Sequence, residues 1–578
     1  MTTTTDETFD LVIVGSGAGA ISAALAAHSL GQRPILLEKQ ARFGGSTAIS
    51  GGVLWVPDNP LMAEEGIPDS RERARTYLDA AIATDAPFSS PEHRDTFLRV
   101  GPALVTFLRE RGMQFFRPDG WSDYYDELPG GEPRSRCLMA PLYDAKQLGE
   151  WAPRLARSPV GAGLPVHSHE LTDLFLVRRT WRGKRMALEM LRRRFSAWLR
   201  GADLVTNGAA LQGRLLSLLL EREIPIRLES PVVGLVEEGG RIVGVEVGGD
   251  QPGVVRARGG VLLNAGGFSR NDRLRSESGR APATSEWTAT NPGDTGEILE
   301  QARSLGAATD NLDAFWWVLT SKNLDGTWPE GTTMPDGSVA PWMHHLDLAL
   351  PHSILVDGRG ERFCNESASY MELGEAMFTR QAETGAAIPA WTIMDSVHRA
   401  RYPWGTALPG TTPAAWLESG YMKRADSLEA LAKACGIDAA GLEKTVERWN
   451  AACANGIDTD HHRGERVFDR IHGDPTVGSN PSMGTIAKPP FHAVPMFPSD
   501  VGCAGGLVTD PYARVLRHDG SAIEGLYAAG NTTASLFVKT YPGAGASISA
   551  SLVHGFVAAH HAAGQAGRVD AIGQETTP

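Results

Sequence analysis

Near the C-terminus, Tyr541-Pro542-Gly543-Ala544-Gly545 puts a phenol on a Pro/Gly hinge that opens into an apolar run of helical character. From the residues alone, two readings are open. The segment is an ordinary turn with a packing tyrosine, or the Tyr541 O–H and the Gly545 N–H converge on one oxygen of a ligand. Two such donors would polarise a carbonyl and hold the charge that develops on it. At the other end of the chain, Gly15-Ser16-Gly17-Ala18-Gly19-Ala20 spells G-x-G-x-x-A. Gly15 permits a tight turn, Gly17 lets a pyrophosphate approach the backbone, and Ala20 lets the next helix pack closely on the strand. The phosphates are expected at the helix N-terminus, where backbone N–H groups and the dipole favour anions. The cysteines (Cys137, Cys364, Cys435, Cys453, Cys503) have no paired spacing. No metal site is expected, and the scattered thiols suit a reducing cytoplasm.

These residues need a scaffold. Leu11 to Val14 reads as a buried parallel strand before the glycine loop, and an alanine-rich helix follows it. Pro34 to Leu37 reads as the second strand and ends in Glu38, where a dinucleotide's ribose hydroxyl is bound. Lys39, Val232 and Asp294 are also expected at the cofactor. The segment Phe43-Gly44-Gly45-Ser46-Thr47-Ala48-Ile49-Ser50-Gly51-Gly52 suits a backbone running beside a flat ring system, which favours FAD over NAD. Ala265-Gly266-Gly267 stops a strand that begins at Gly260, after a hairpin turning at Gly239-Gly240. Far away, Gly525 to Ser535 gives a strand and then Gly530-Asn531, and Ala546, Ser547 and Ile548 open the last helix toward the flavin. The expected fold is α/β: a Rossmann-like FAD-binding domain of the GR2 type built from both chain ends, residues 1–285 and 489–578. An α+β catalytic cap is inserted at 286–488, with clustered tryptophans and a helical pair near 427–454.

The stretch from Gly505 to Gly545, with the Gly15–Ala20 loop and Glu361-Arg362-Phe363-Cys364-Asn365-Glu366-Ser367-Ala368-Ser369-Tyr370, resembles the flavin-dependent 3-ketosteroid Δ1-dehydrogenases over almost the whole chain. These belong to the fumarate reductase/succinate dehydrogenase flavoprotein superfamily. The resemblance implies that Tyr541 and Gly545 hold the steroid C3 carbonyl and that Tyr370 takes the C2 proton. It also implies that Tyr124, in Trp121-Ser122-Asp123-Tyr124, supports that base, with Tyr125 beside it as the alternative. Trp121 stands where the family has phenylalanine, and it is expected at the substrate with the tyrosines. Cys503-Ala504 replaces a more usual Thr-Lys, and the regions near 150–180 and 315–345 are longer than in compact members.

A net charge of −13 argues against nucleic acid as a partner. The expected partners are a hydrophobic 3-ketosteroid and an electron acceptor that the sequence does not identify. The polar N-terminus and the lack of a long apolar run point to a cytoplasmic protein. Residues 178–200 oppose the global charge with nine basic side chains and one acid. Trp181, Leu188, Leu191, Phe195 and Trp198 can share one helical face. That face is expected to pack on its own domain, with peripheral contact to an anionic membrane as the alternative. Three rivals to the 1,2-desaturase remain. One is a desaturase of another cyclic ketone or of the steroid 4,5 bond. Another is a fumarate-type reductase, which would need arginines and histidines where this chain has tyrosine and apolar residues. The third is a flavoprotein that only binds or senses. The neighbouring histidines His344-His345 are expected to be structural or to touch substrate.

Overall fold

The computed structural model describes residues 7–159, 163–334 and 337–573. Its nucleotide-binding half is an eight-stranded sheet. Glu7–Val14 pairs in parallel with Pro34–Leu37 on one side and with Gly253–Leu263 on the other. Ile226–Arg227 extends the sheet beyond Pro34–Leu37. Gly253–Leu263 divides its far edge. Its first half pairs antiparallel with Arg241–Val247, and its last three residues pair in parallel with Ala522–Ala528. Strands from the two ends of the chain thus share one sheet. Leu11 to Val14, Ile35 to Leu37 and Val261 to Leu263 are all buried, which is why they read as continuous apolar runs.

Helix Ala18–Ser29 leaves the first strand and lies against the last long helix, Ala546–Ala562. Glycines set this contact. A Cβ on Gly19 would sit 2.5 Å from the Ser551 carbonyl oxygen, and one on Gly555 would sit 2.1 Å from that of Gly19. Gly19 thus sets the close contact between the two helices, while Ala20 is fully buried in the core. Ala20 donates its N–H to Asn264 Oδ1 at 3.0 Å.

A second, antiparallel sheet of six strands forms the cap. Its longest strand is Phe491–Cys503, paired with Phe315–Ser321, Ala390–Met394 and Lys423–Ala425. That strand lies within the segment read as the returning FAD half, so residues 491–503 belong to the cap sheet. The helical pair is present as Leu428–Cys435 and Ala439–Asn455, packed over Ile354, Trp391 and Ile393.

The basic stretch forms helix Trp181–Arg200 with a Thr180 cap. The five apolar residues do share a face, but that face is open to solvent. Trp181, Leu188, Leu191, Phe195 and Trp198 are all more than half exposed. The side packed on the protein carries Gly183, Met186 and Ala197 instead.

Candidate active site

One cavity of about 910 Å³ runs from the glycine loop past the tyrosines to helix Trp181–Arg200. At its nucleotide end the backbone is shaped by absent side chains. Gly15 has φ +103°, and a Cβ there would lie 2.1 Å from the Asn264 carbonyl oxygen. Glu38 is buried at the end of the second strand. It accepts the Ser16 hydroxyl at 2.6 Å and the Gln40 N–H at 2.9 Å. Two carboxylate oxygens keep further lone pairs for a ribose hydroxyl. Burial raises its pKa. Ser46 donates to Asp294 at 3.1 Å, and burial lifts that carboxyl to about 7. Gly266, at φ +80°, leaves room for the same carboxylate. Lys39 pairs with Glu297.

Gly45, Thr47, Gly51, Gly52, Val232, Ala265, Gly530, Asn531, Ser547 and Ile548 line the cavity with these residues. Six expected contacts do not: Ala18, Gly19, Ala20, Gly44, Gly267 and Ala546. Each has a structural task nearby. Ala18 N–H binds Thr47 Oγ1 at 3.2 Å, and Gly44 N–H binds Ser16 Oγ at 2.8 Å. Gly267 gives space to Cys503, whose sulfur accepts the Phe268 N–H at 3.1 Å. Ala546 is buried in the first turn of its helix. Asn264 was not foreseen. It links the first helix to the Ala529 carbonyl (2.8 Å) and to Ser551 (3.1 Å), joining both ends of the chain around the cradle. The cradle suits FAD: the first glycine loop has no room for side chains, and a buried acid stands at the second strand. Gly15→Val, at positive φ and against the Asn264 carbonyl, is expected to give a colourless protein. The visible absorption spectrum of the purified variant tests this.

The three tyrosines meet at the other end. Ring centroids lie 5.6 Å apart for Tyr124–Tyr370, 5.5 Å for Tyr370–Tyr541 and 5.8 Å for Tyr124–Tyr541. Trp316 and Phe468 complete the packing, at 5.0 Å from Tyr541 and 4.5 Å from Tyr124. Trp121 lines the same cavity. Tyr125 does not line the cavity; its hydroxyl bonds the Tyr541 backbone and the Ser369 side chain, with the Arg466 guanidinium 5.7 Å from its ring centroid.

The hinge explains the convergence. The Pro542 carbonyl accepts the Tyr77 hydroxyl at 2.6 Å and the Tyr124 N–H at 3.0 Å. One carbonyl thereby ties the loop of Tyr124 to that of Tyr541. Gly543 packs on Trp55, whose Nε1 donates to Asp123 at 2.7 Å. Gly545 sits at φ +87° against the Val53 carbonyl and caps the final helix without a side-chain bond. The positive end of that helix therefore faces the Tyr541 oxygen, which also shares a 2.9 Å hydrogen bond with Ser547.

Tyr370 opens helix Tyr370–Thr384. Ser369 caps it with Glu372 in a reciprocal box, the S-x-x-E pattern that fixes a first turn. Glu372 is held by Arg466 at 2.9 Å. Ser369→Ala is expected to cost about 1 kcal/mol and to lower turnover, because the first turn carries Tyr370. Chemical denaturation and steady-state rates check it.

Burial pushes all three phenols above the ordinary range, with Tyr124 and Tyr370 furthest. For Tyr370, the neighbouring phenols Tyr124 and Tyr541 add to the rise. Tyr541 moves less, because hydrogen bonds from the Ser547 and Tyr370 side chains and from the Ser547 and Gly545 backbone oppose its burial. The histidine pair divides. His344 joins Asp347 (2.6 Å) and Ser321 (2.7 Å) in a buried chain. His345 faces Tyr370 at 5.2 Å, and burial pushes its pKa down to about 4, so the ring is neutral near pH 7.

A dinucleotide cradle closed by both chain ends, beside a tyrosine cluster under a second sheet, defines a flavoprotein oxidoreductase. A family model described as an FAD binding domain matches residues 10–548. The 3-oxosteroid 1-dehydrogenase of Mycobacterium tuberculosis (strain ATCC 25618 / H37Rv) is 37% identical over 578 residues, covering 98% of this chain and 100% of the relative. That of Mycolicibacterium smegmatis is 38% identical, covering 96% and 97%. A solved 3-ketosteroid Δ1-dehydrogenase from Sterolibacterium denitrificans, in complex with 1,4-androstadiene-3,17-dione, superposes with a TM-score of 0.88 at 35% identity. The match covers 96% of this chain and 100% of that one. The chain belongs to the FAD-binding-domain family and, within it, to the 3-oxosteroid 1-dehydrogenases.

Proposed function

We propose that this chain converts a 4-ene-3-ketosteroid to the 1,4-diene by removing the C2 proton and the C1 hydride. The observation that carries the reading is the meeting of three phenols, two of them buried and Tyr370 half-buried, and a helix N-terminus in one apolar cavity continuous with the flavin cradle. Tyr541 O–H and Gly545 N–H hold the ketone oxygen. Enolate character grows there as the C2 proton leaves, and the helix N-terminus favours that charge. Tyr370 takes the proton, and Tyr124 relays it or steadies the phenolate. Bound FAD supplies the acceptor for the hydride. The apolar walls exclude water and suit a neutral ring ketone rather than a dicarboxylate.

Anaerobic mixing with a 4-ene-3-ketosteroid tests the reading. The flavin should bleach, and proton NMR of the product should show the new olefin at C1–C2. An olefin elsewhere, or no reaction while fumarate reoxidises the reduced protein, would sink it.

The pH profile follows from the base. A phenol raised by burial is almost wholly protonated near pH 7, and its active, ionised fraction grows as pH rises. Log kcat/KM is therefore expected to climb with a slope approaching one from neutral to alkaline pH. Loss of that climb in Tyr370→Phe checks the assignment.

A peripheral membrane contact also belongs to this reading. No helix among the described residues is long and apolar enough to cross a membrane. What supports contact is the exposed apolar face of Trp181–Arg200, flanked by basic residues.

A further inference from the structure

The cap wall of the cavity holds a carboxylate that the desaturation does not use. Glu38, Asp294 and Glu297 stand at the nucleotide end, whereas Asp347 lines the same cavity beside Trp342, Met343 and Ala407. Asp347 is 6% exposed. Its Oδ2 lies 2.6 Å from His344 Nδ1, and no described residue donates to its Oδ1. The buried guanidinium of Arg399 is near enough to feel the charge, but its hydrogen bonds go to the Tyr402 and Thr411 carbonyls.

A chain of hydrogen bonds fixes what that free oxygen can do. His344 pairs with Leu319, two positions before Ser321 on the same face of the strand. Ser321 Oγ lies 2.7 Å from His344 Nε2 and 2.6 Å from the Tyr421 hydroxyl, which accepts the Trp404 indole N–H at 3.1 Å. Trp404, Tyr421, Ser321 and His344 are fully buried. An indole can only donate, so one direction leaves no donor stranded. Trp404 donates to Tyr421, Tyr421 to Ser321, Ser321 to His344 Nε2, and His344 Nδ1–H to Asp347. The opposite direction would strand the Tyr421 proton in a dry core. Trp404 also stacks on the His344 ring at 4.4 Å and holds its plane. The carboxylate therefore ends the chain as an acceptor, and its second oxygen is suited only to a donor. Ser321, His344 and Asp347 have the connectivity of a hydrolase triad, but the wrong end meets the cavity. Ser321 is enclosed and held by Tyr421, while Asp347 lines the cavity wall. The site offers a ligand an acceptor and no nucleophile.

We infer that Asp347 is a subsite for a hydroxyl group on the substrate's ring system, away from the reacting ketone, and that His344 orients it. The inference rests on the steroid chemistry proposed above and adds a substrate preference to it. A ring ketone carrying a hydroxyl is favoured over the same ketone with a carbonyl at that carbon. The hydroxyl donates to the free carboxylate oxygen. A second carbonyl sets lone pairs against lone pairs and leaves that oxygen unpaired, and a site built to bond a hydroxyl discriminates strongly against such an analogue.

Competition between paired substrates tests this on the flavin-loaded full chain. One pair is 17β-hydroxyandrost-4-en-3-one against androst-4-ene-3,17-dione. The other is 11β-hydroxyandrost-4-ene-3,17-dione against its 11-oxo counterpart. Both members of a pair are mixed in one vessel with an artificial electron acceptor. Product ratios by mass spectrometry then give the ratio of kcat/KM values, whatever fraction of the protein is active. Wild type should favour the hydroxylated member of one pair by at least about tenfold. In Asp347→Asn, His344 Nδ1–H still needs an acceptor, so the amide oxygen turns to it and the NH2 group faces the cavity as a donor. The ratio should move at least about tenfold toward the carbonyl member. A purely structural loss lowers both rates and leaves the ratio where it was. The wild-type ratios decide the matter by themselves if the variant does not hold flavin. Equal use of both members of each pair by wild type, a preference for the carbonyl members, or an unchanged ratio in Asp347→Asn overturns the subsite and leaves the desaturation standing. Failure of wild type to convert any of these ketones overturns the steroid reading and the subsite together.

Discussion

Tyr370→Phe is expected to slow anaerobic bleaching of the flavin by a 4-ene-3-ketosteroid by roughly 100- to 10,000-fold. The substitution removes one oxygen and keeps the ring. Packing against Tyr124, Tyr541 and His345 is preserved, and so is the capping box beneath the helix. Folding and flavin content should therefore match wild type. On the proposed reading, in which Tyr370 takes the proton, the loss belongs to the chemical step. His345 also faces Tyr370, but burial lowers its proton affinity. A drop in substrate affinity with an unchanged limiting rate would assign Tyr370 to binding instead.

The second large effect is at the carbonyl. Tyr541→Phe removes one of the two proposed donors to the ketone oxygen and is expected to cost about 3 kcal/mol of transition-state stabilisation, roughly 100-fold or more in rate. The deficit should fall mainly on kcat, because the negative charge exists only as the C2 proton leaves. The substitution also strands the Ser547 hydroxyl, which shares its hydrogen bond with Tyr541. Combining the two substitutions should cost less than the product of the single losses, because base and donors act on one transition state. Single-turnover flavin reduction over a range of steroid concentrations separates the two parameters.

Much of the scaffold was legible because its signals are local. Strand, glycine loop and helix follow one another at residues 11–29, and the Gly239-Gly240 turn sits at positive φ between two paired strands. Tyr541 was marked by its Pro/Gly hinge, but Tyr124 and Tyr370 came from resemblance rather than from spacing, since the three are far apart in the chain. Three features escaped for physical reasons. Phe491–Cys503 carries Pro495 and Pro498, which demote a strand reading, yet it is the axis of the cap sheet. Asn264 follows a strand end like any polar residue, and only the folded chain brings Ala20, Ala529 and Ser551 to its side chain. The stripe on Trp181–Arg200 has the period of a packed face, and periodicity alone does not say which neighbour covers it. The Ser369–Glu372 box, by contrast, is written openly in sequence as S-x-x-E.

The central claim is that a phenolate at position 370 removes the proton beside a ketone held by Tyr541 and Gly545. Release of deuterium from a C2-deuterated 4-ene-3-ketosteroid into water, followed in wild type and Tyr370→Phe, tests it most directly. The account predicts rapid release with a primary isotope effect in wild type and near-complete loss of release in the variant. Release at the wild-type rate from Tyr370→Phe would contradict it.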